Sequence, residues 1–128
     1  MRFLSLALAF SSLAAVSAQA ESFTCGFTEP FFTIEYSTTT QKLVLTDNAL
    51  EKSTNYRGVE FQIVAPGEFT LRDKRGHELA RLKLTMEGSD GMSATIYPYE
   101  ISTKLLGGAN NGEGGCASSL LKTKQGES

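Results

Sequence analysis

Apolar side chains recur at every second position through most of the chain. Phe32, Ile34 and Tyr36 alternate with Thr33 and Glu35, and Leu43 and Leu45 sit between Lys42, Val44 and Thr46. Val59, Phe61 and Ile63 are separated by Glu60 and Gln62, and Phe69 and Leu71 by Thr70. Ala80, Leu82, Leu84 and Met86 form one face of a longer run whose other face holds Leu79, Arg81, Lys83 and Thr85, and a further run begins at Ala94 and Ile96. A period of two puts one face of a strand against a core and the other in water, whereas a helix would repeat its apolar positions every three or four residues.

The breaks between these runs carry turn chemistry. Ala65-Pro66-Gly67-Glu68 and Asp73-Lys74-Arg75-Gly76-His77 each join two alternating runs, with proline and glycine supplying the required φ values. Gly88-Ser89-Asp90-Gly91-Met92-Ser93 precedes the Ala94 run, and residues 107–115 hold five glycines with Asn110-Asn111 and read as a loop. Only residues 46–55 resist, since Asn48-Ala49-Leu50-Glu51-Lys52 suits a helical turn or a wide loop. Short strands at this spacing predict an all-β domain, a small antiparallel barrel or sandwich of about eight strands in which chain neighbours pair. Residues 21–121 form that single domain, and residues 122–128 are a polar tail expected to fray.

The first twenty residues read as a processing segment. Arg2 precedes an apolar stretch from Phe3 to Val16, and Ala18-Gln19-Ala20 offers small side chains to a signal peptidase. The stretch is shorter than the roughly 20 residues a membrane span needs. Cys25 lies too far beyond Ala20 for a lipoprotein signal, so no membrane anchor is expected after cleavage. The expected location is the periplasm or the exterior. Cleavage removes Arg2 alone, leaving 11 basic residues against 14 acidic ones, a net charge of −3. Such a balance gathers neither nucleic acid nor an anionic membrane surface. In that compartment the two cysteines, Cys25 and Cys116, are expected to pair with each other.

No catalytic signature stands out. His77, the one histidine, lies in an expected surface turn, and a catalytic triad needs it packed against a nucleophile. Glu29, Asp90 and Glu100 are the acids beside aromatic or glycine-rich blocks, and no spacing pairs them for acid–base work. The glycines of residues 107–115 precede a cysteine and a strand, not the helix that a phosphate cradle uses. No metal ligand set and no cofactor motif is expected, and the chain reads as non-enzymatic.

Two blocks remain. The first is Cys25-Gly26-Phe27-Thr28-Glu29-Pro30-Phe31-Phe32, with a bend at Glu29-Pro30 and phenylalanines that suit a core. The second is Ser89-Asp90-Gly91-Met92-Ser93 followed by Ile96-Tyr97-Pro98-Tyr99, which suits either a tight structural hairpin or a recognition loop. Together they give a candidate binding face of Glu29, Ser89, Asp90, Met92 and Tyr97, whose partner would be an envelope protein or a small ligand. In this reading the Glu29 bend and the Asp90 turn lie side by side.

Thr28-Glu29-Pro30-Phe31-Phe32, Ser89-Asp90-Gly91-Met92-Ser93, Tyr97-Pro98 and Gly115-Cys116-Ala117 resemble, in this order, a family of small bacterial envelope proteins of unknown function. That family shows Thr-Glu-Pro-Phe-Trp, Cys-Ser-Asp-Gly-Met-Ser, Tyr-Pro and Gly-Cys-Ala. Phe32 stands where the family has Trp, and Gly88 stands where it has a cysteine. The resemblance implies a periplasmic location and supplies no mechanism. A looser similarity, carried by Phe23, Cys25 and the Ser89 loop, is to the membrane-bound inhibitors of C-type lysozyme. It implies an inhibitory role for that loop. Glu21 should be the first residue found by N-terminal sequencing of the exported protein, and a retained Met1 would overturn the signal assignment.

Overall fold

The computed structural model describes residues 20–27, 31–106 and 112–126. Residues 1–19 of the signal segment, and Thr28, Glu29 and Pro30, therefore lie outside the described residues. Ten strands run β1 (Ser22–Phe27), β2 (Phe32–Ser37), β3 (Lys42–Asp47), β4 (Lys52–Tyr56), β5 (Glu60–Ala65), β6 (Glu68–Arg72), β7 (Glu78–Gly88), β8 (Thr95–Thr103), β9 (Glu113–Ser118) and β10 (Lys124–Gln125). There is no helix among the described residues. The all-β antiparallel architecture matches the alternation.

Nine strands form one ladder in the order β4-β3-β2-β1-β9-β8-β7-β6-β5, and β10 pairs with β8. Two meanders, β1 to β4 and β5 to β9, are thus sewn together where β1 meets β9. The ladder is not closed, because β4 and β5 are its two edges. It is nevertheless strongly curled. Phe23 of β1 stacks on Phe61 of β5 at a ring separation of 5.5 Å, although β9, β8, β7 and β6 lie between them in the ladder. The short link from β4 to β5 occupies the gap: the Val59 amide donates to the Gln41 carbonyl over 2.8 Å, and its carbonyl accepts the Tyr36 hydroxyl over 2.7 Å.

Inward positions follow the period of two in β1, β2 and β3, whereas Ile63, Leu84 and Met86, expected on inward faces, are exposed where β5 forms a sheet edge and β7 runs past the core. Phe23, Cys25 and Phe27 of β1 face Tyr36 and Ile34 of β2, which in turn face Leu43 and Leu45 of β3. Val59, Leu71, Leu79, Ala80, Leu82, Tyr99, Ile101 and Cys116 complete the buried apolar set. Phe23, Phe61, Phe69 and Tyr99 form a ring cluster with centroid separations between 4.9 and 6.1 Å. Of the aromatic block near the N-terminus, Phe23 and Phe27 are core, Phe32 is half-buried, and Phe31 is exposed.

Residues 46–55 are neither helix nor wide loop. β3 and β4 pair from Leu43↔Tyr56 to Asp47↔Lys52, leaving a turn over 48–51. The Asp47 carboxylate accepts the Ala49 and Leu50 amides, and Glu51 closes the turn at φ 57°. The turn from β2 to β3 repeats this device with the Ser37 hydroxyl and with Gln41 at φ 57°. β4 escaped the alternation because its residues, Lys52-Ser53-Thr54-Asn55-Tyr56, are nearly all exposed, as suits a sheet edge. Two further differences concern the C-terminal end. Gly114 and Gly115 belong to strand β9, not to a loop, and the polar tail contributes β10.

The expected disulfide is present. Cys25 and Cys116 are direct cross-strand partners in the β1–β9 pairing, 4.0 Å apart at Cα, and both are buried. With a sequence separation of 91, the bridge constrains the unfolded chain by about 4 kcal/mol on loop-entropy grounds. Replacing both cysteines by alanine should lower the unfolding free energy by about that amount in urea titration. Peptide mapping without reduction should recover the Cys25–Cys116 pair. Two alkylatable thiols on the unreduced native protein would refute the assignment.

Candidate functional site

The Ser89–Ser93 turn is built around one carboxylate. Asp90 Oδ1 accepts the backbone amides of Met92 at 2.8 Å and Ser93 at 2.9 Å. Its Oδ2 accepts the Ser93 hydroxyl and the Tyr97 hydroxyl, each at 2.9 Å. The Ser89 hydroxyl accepts the Gly91 amide at 2.9 Å, so the turn is braced on both sides of Asp90. An aspartate followed by its own two downstream amides is the usual local competitor to ladder pairing, and here it ends β7 and starts β8.

The turn does not stand out from the molecule. Asp90 is only 8% exposed, and Gly88 is buried. Register explains the seat. Cys25 opposite Cys116 puts Gly26 opposite Gly115, and the alternation that sends both sulfurs inward opens a bare patch on the outer face. The Tyr97 ring lies on that patch: a Cβ on Gly115 would stand 2.7 Å from Tyr97 Cδ1 and 3.0 Å from the Ser89 amide nitrogen. A Cβ on Gly26 would stand 3.8 Å from both Asp90 Cβ and the Tyr97 hydroxyl. Gly88 makes a third close approach, because a Cβ there would meet the Tyr99 carbonyl oxygen at 2.2 Å. A cysteine at 88 is therefore incompatible with this backbone. Gly88 also follows a register shift in the β7–β8 ladder, where Met86 takes φ 61°.

Burial works to raise the Asp90 pKa, but the hydrogen bonds from Ser93, Met92 and Tyr97 outweigh it and hold the carboxyl down at about 2. The Tyr97 hydroxyl is pushed up to about 12 by burial, by its bond to Asp90 and by the carboxylate charge. The two groups are thus locked in complementary states, carboxylate and neutral phenol, across the whole neutral range. What they do chemically is fix the turn.

Of the expected binding residues, the structure brings Ser89, Asp90, Met92 and Tyr97 together, and Glu29 lies outside the described residues. Met92 stands at the tip of the turn, 56% exposed, and Ser89 is exposed beside it. Sequence reasoning missed the glycine seat. The signal was present: the disulfide pairing itself aligns Cys25-Gly26 with Gly115-Cys116. Beside the turn, Thr85, Met86, Glu87, Ser93, Thr95, Ile96 and Lys124 line an open cleft of about 500 Å³.

Elsewhere, His77 sits in an exposed turn and its amide donates to the Asp73 carboxylate at 2.9 Å, as a surface role predicts. Arg81 pairs with Glu78 and Glu68 on the outer face of β6 and β7, exposed ion pairs of small energetic weight. No group of three or more metal-ligating side chains occurs among the described residues.

Because the folded-state pKa of Asp90 lies below its unfolded value of 3.8, its stabilisation is fully present above that value and fades as the pH falls towards 2. Asp90→Ala should cost about 2 kcal/mol at neutral pH, and Tyr97→Phe about 1 kcal/mol. Urea titrations should show the gap between wild type and Asp90→Ala closing between pH 5 and pH 2, on the order of the range set by that shift. A gap independent of pH would show that the carboxylate does not brace the turn.

No known family model, curated protein or solved structure matches this chain.

Proposed function

We propose that this chain is an exported, non-catalytic binding domain that engages an envelope protein or a small ligand through the face displayed by the Ser89–Ser93 turn. One observation carries the reading: the base of the turn is locked by Asp90 and Tyr97 against the Gly26–Gly115 patch, while Met92 at its tip is 56% exposed. A rigid backbone presenting a soft, polarizable side chain loses little freedom on binding, which favours recognition. Exposed methionine is enriched where proteins meet partners. In this arrangement Ser89 and Met92 make the contact, and Asp90 and Tyr97 hold them in place. Glu29 joins the proposal only by its place in the chain, three residues after Gly26.

The anchoring favours this reading over a lysozyme-type inhibitor, whose loop would have to project into the enzyme's cleft. The test uses the processed protein, immobilised as bait in an extract of its own envelope compartment. Met92→Asp should leave stability within about 0.5 kcal/mol, since the side chain packs against little, yet reduce capture of the partner at least about tenfold. Equal capture by wild type and variant would overturn the assignment of this face. Stoichiometric inhibition of a C-type lysozyme, lost in Met92→Asp, would replace it with the inhibitor reading.

A further inference from the structure

The first residues of β8 lie beyond the stretch that β9 covers, since β9 pairs only with Tyr99 to Ser102. This free edge is taken up by the chain's own C-terminal segment. Lys124 pairs with Ile96 and Gln125 with Thr95, the Gly126 amide donates to the Ala94 carbonyl over 2.8 Å, and the Thr95 hydroxyl donates to Gln125 Oε1 over 3.2 Å. The hold is main-chain in character. Both β10 side chains are exposed, so the segment adds nothing to the core. Lys122 and Thr123, which lead into it, belong to no strand.

The way the segment is seated defines what fits. A Cβ on Gly126 would stand 2.5 Å from the Ala94 carbonyl oxygen and 3.3 Å from Ile96 Cδ1, so a side chain at that position is excluded unless the backbone shifts. Lys124, two residues earlier and on the same side of the strand, is a wall of the open cleft that also holds Glu87, Met86 and the Ser89 and Ser93 hydroxyls. The slot therefore accepts an extended strand with a basic residue on the wall of the cleft that also holds Glu87, then any residue, then glycine.

We propose that the Ala94–Ile96 edge is a docking slot for an extended polypeptide strand of a partner protein, held in cis by the chain's own Lys124-Gln125-Gly126 and opened when that segment peels away. Strand addition to a sheet edge draws its affinity from main-chain hydrogen bonds and its selectivity from alternate side chains. A ladder of two residue pairs with no buried side chain is at the weak end of such contacts, which makes it displaceable. Occupied in cis, the edge is also shielded from indiscriminate pairing. The proposal rests on the reading of the chain as a binding domain and names the kind of partner that its cleft side would accept.

The test uses the full chain and a fluorescent peptide with the sequence of residues 121–128 as the probe. Gly126→Val in the protein should keep the tail out of the slot while leaving the fold intact by circular dichroism. The wild-type peptide should then bind Gly126→Val saturably and at least about tenfold more tightly than it binds the wild-type protein, whose tail competes at high effective concentration. Peptides carrying Gly126→Val or Lys124→Glu should bind weakly or not at all. Equal binding to both proteins, or none to either at millimolar peptide, on the order of the weakest specific affinities, overturns the slot. Amide exchange on the wild-type chain gives an independent reading: Gly126 should exchange at least about a hundredfold faster than Cys116, through local opening. Equal protection would mean that the tail does not detach. Failure of these measurements leaves capture through Met92 standing, and equal capture by wild type and Met92→Asp with peptide binding intact would shift the contact from the turn to the slot.

Discussion

Everything else in this molecule depends on the pairing of β1 with β9. Each half of the chain makes a meander on its own, β1 to β4 and β5 to β9, and neither meander alone encloses a core. The five residue pairs from Phe23↔Ser118 to Phe27↔Gly114 join them, across nearly the full span of the sequence. That contact closes the largest loop in the fold, so it has the largest entropic cost and the least help from local structure. The Cys25–Cys116 bridge sits in the middle of it and limits how far the two halves can separate once the chain unfolds. With this seam in place the sheet curls far enough for Phe23 of β1 to reach Phe61 of β5.

The seam also has two faces with opposite chemistry, and the second decides where the turn goes. Inward, it shows sulfur and phenyl rings to the core. Outward, Gly26 and Gly115 leave bare backbone that would be wet and weakly paired without a cover. Tyr97 provides the cover, and Asp90 joins it through the phenol hydroxyl. The turn between β7 and β8 is thereby folded down onto the seam, and the same carboxylate that shapes the turn fastens it to the sheet. Stability of the seam and rigidity of the turn are one arrangement.

An unclosed sheet leaves edges to be managed, and the chain does so in different ways. β4 is polar throughout and carries Lys52, which discourages pairing with other chains. The start of β8 is covered by the short C-terminal strand. β5 is the exception, with Ile63 and Val64 exposed on an edge, and nothing in the structure shows what, if anything, meets them.

The alternation of Phe32 to Tyr36, Val59 to Ile63 and Ala80 to Met86 determined by itself that the chain is antiparallel β, because period-two burial depends only on neighbours in sequence. The turn residues at Pro66-Gly67 and Gly76 determined where several strands end, and the two cysteines, being just two, pointed to each other as partners. β4 and β10 were invisible, since nearly all of their side chains are exposed and so leave no pattern. The grouping of Ser89, Asp90, Met92 and Tyr97 was readable from their closeness in the chain, but their roles were not. Only the tertiary structure decided that the turn lies down and does not project, because that depends on a glycine patch assembled from residues 26 and 115, at opposite ends of the domain. Sequence proximity fixes which atoms can meet within a turn; which surface that turn then meets is settled by the register of strands almost a whole chain apart.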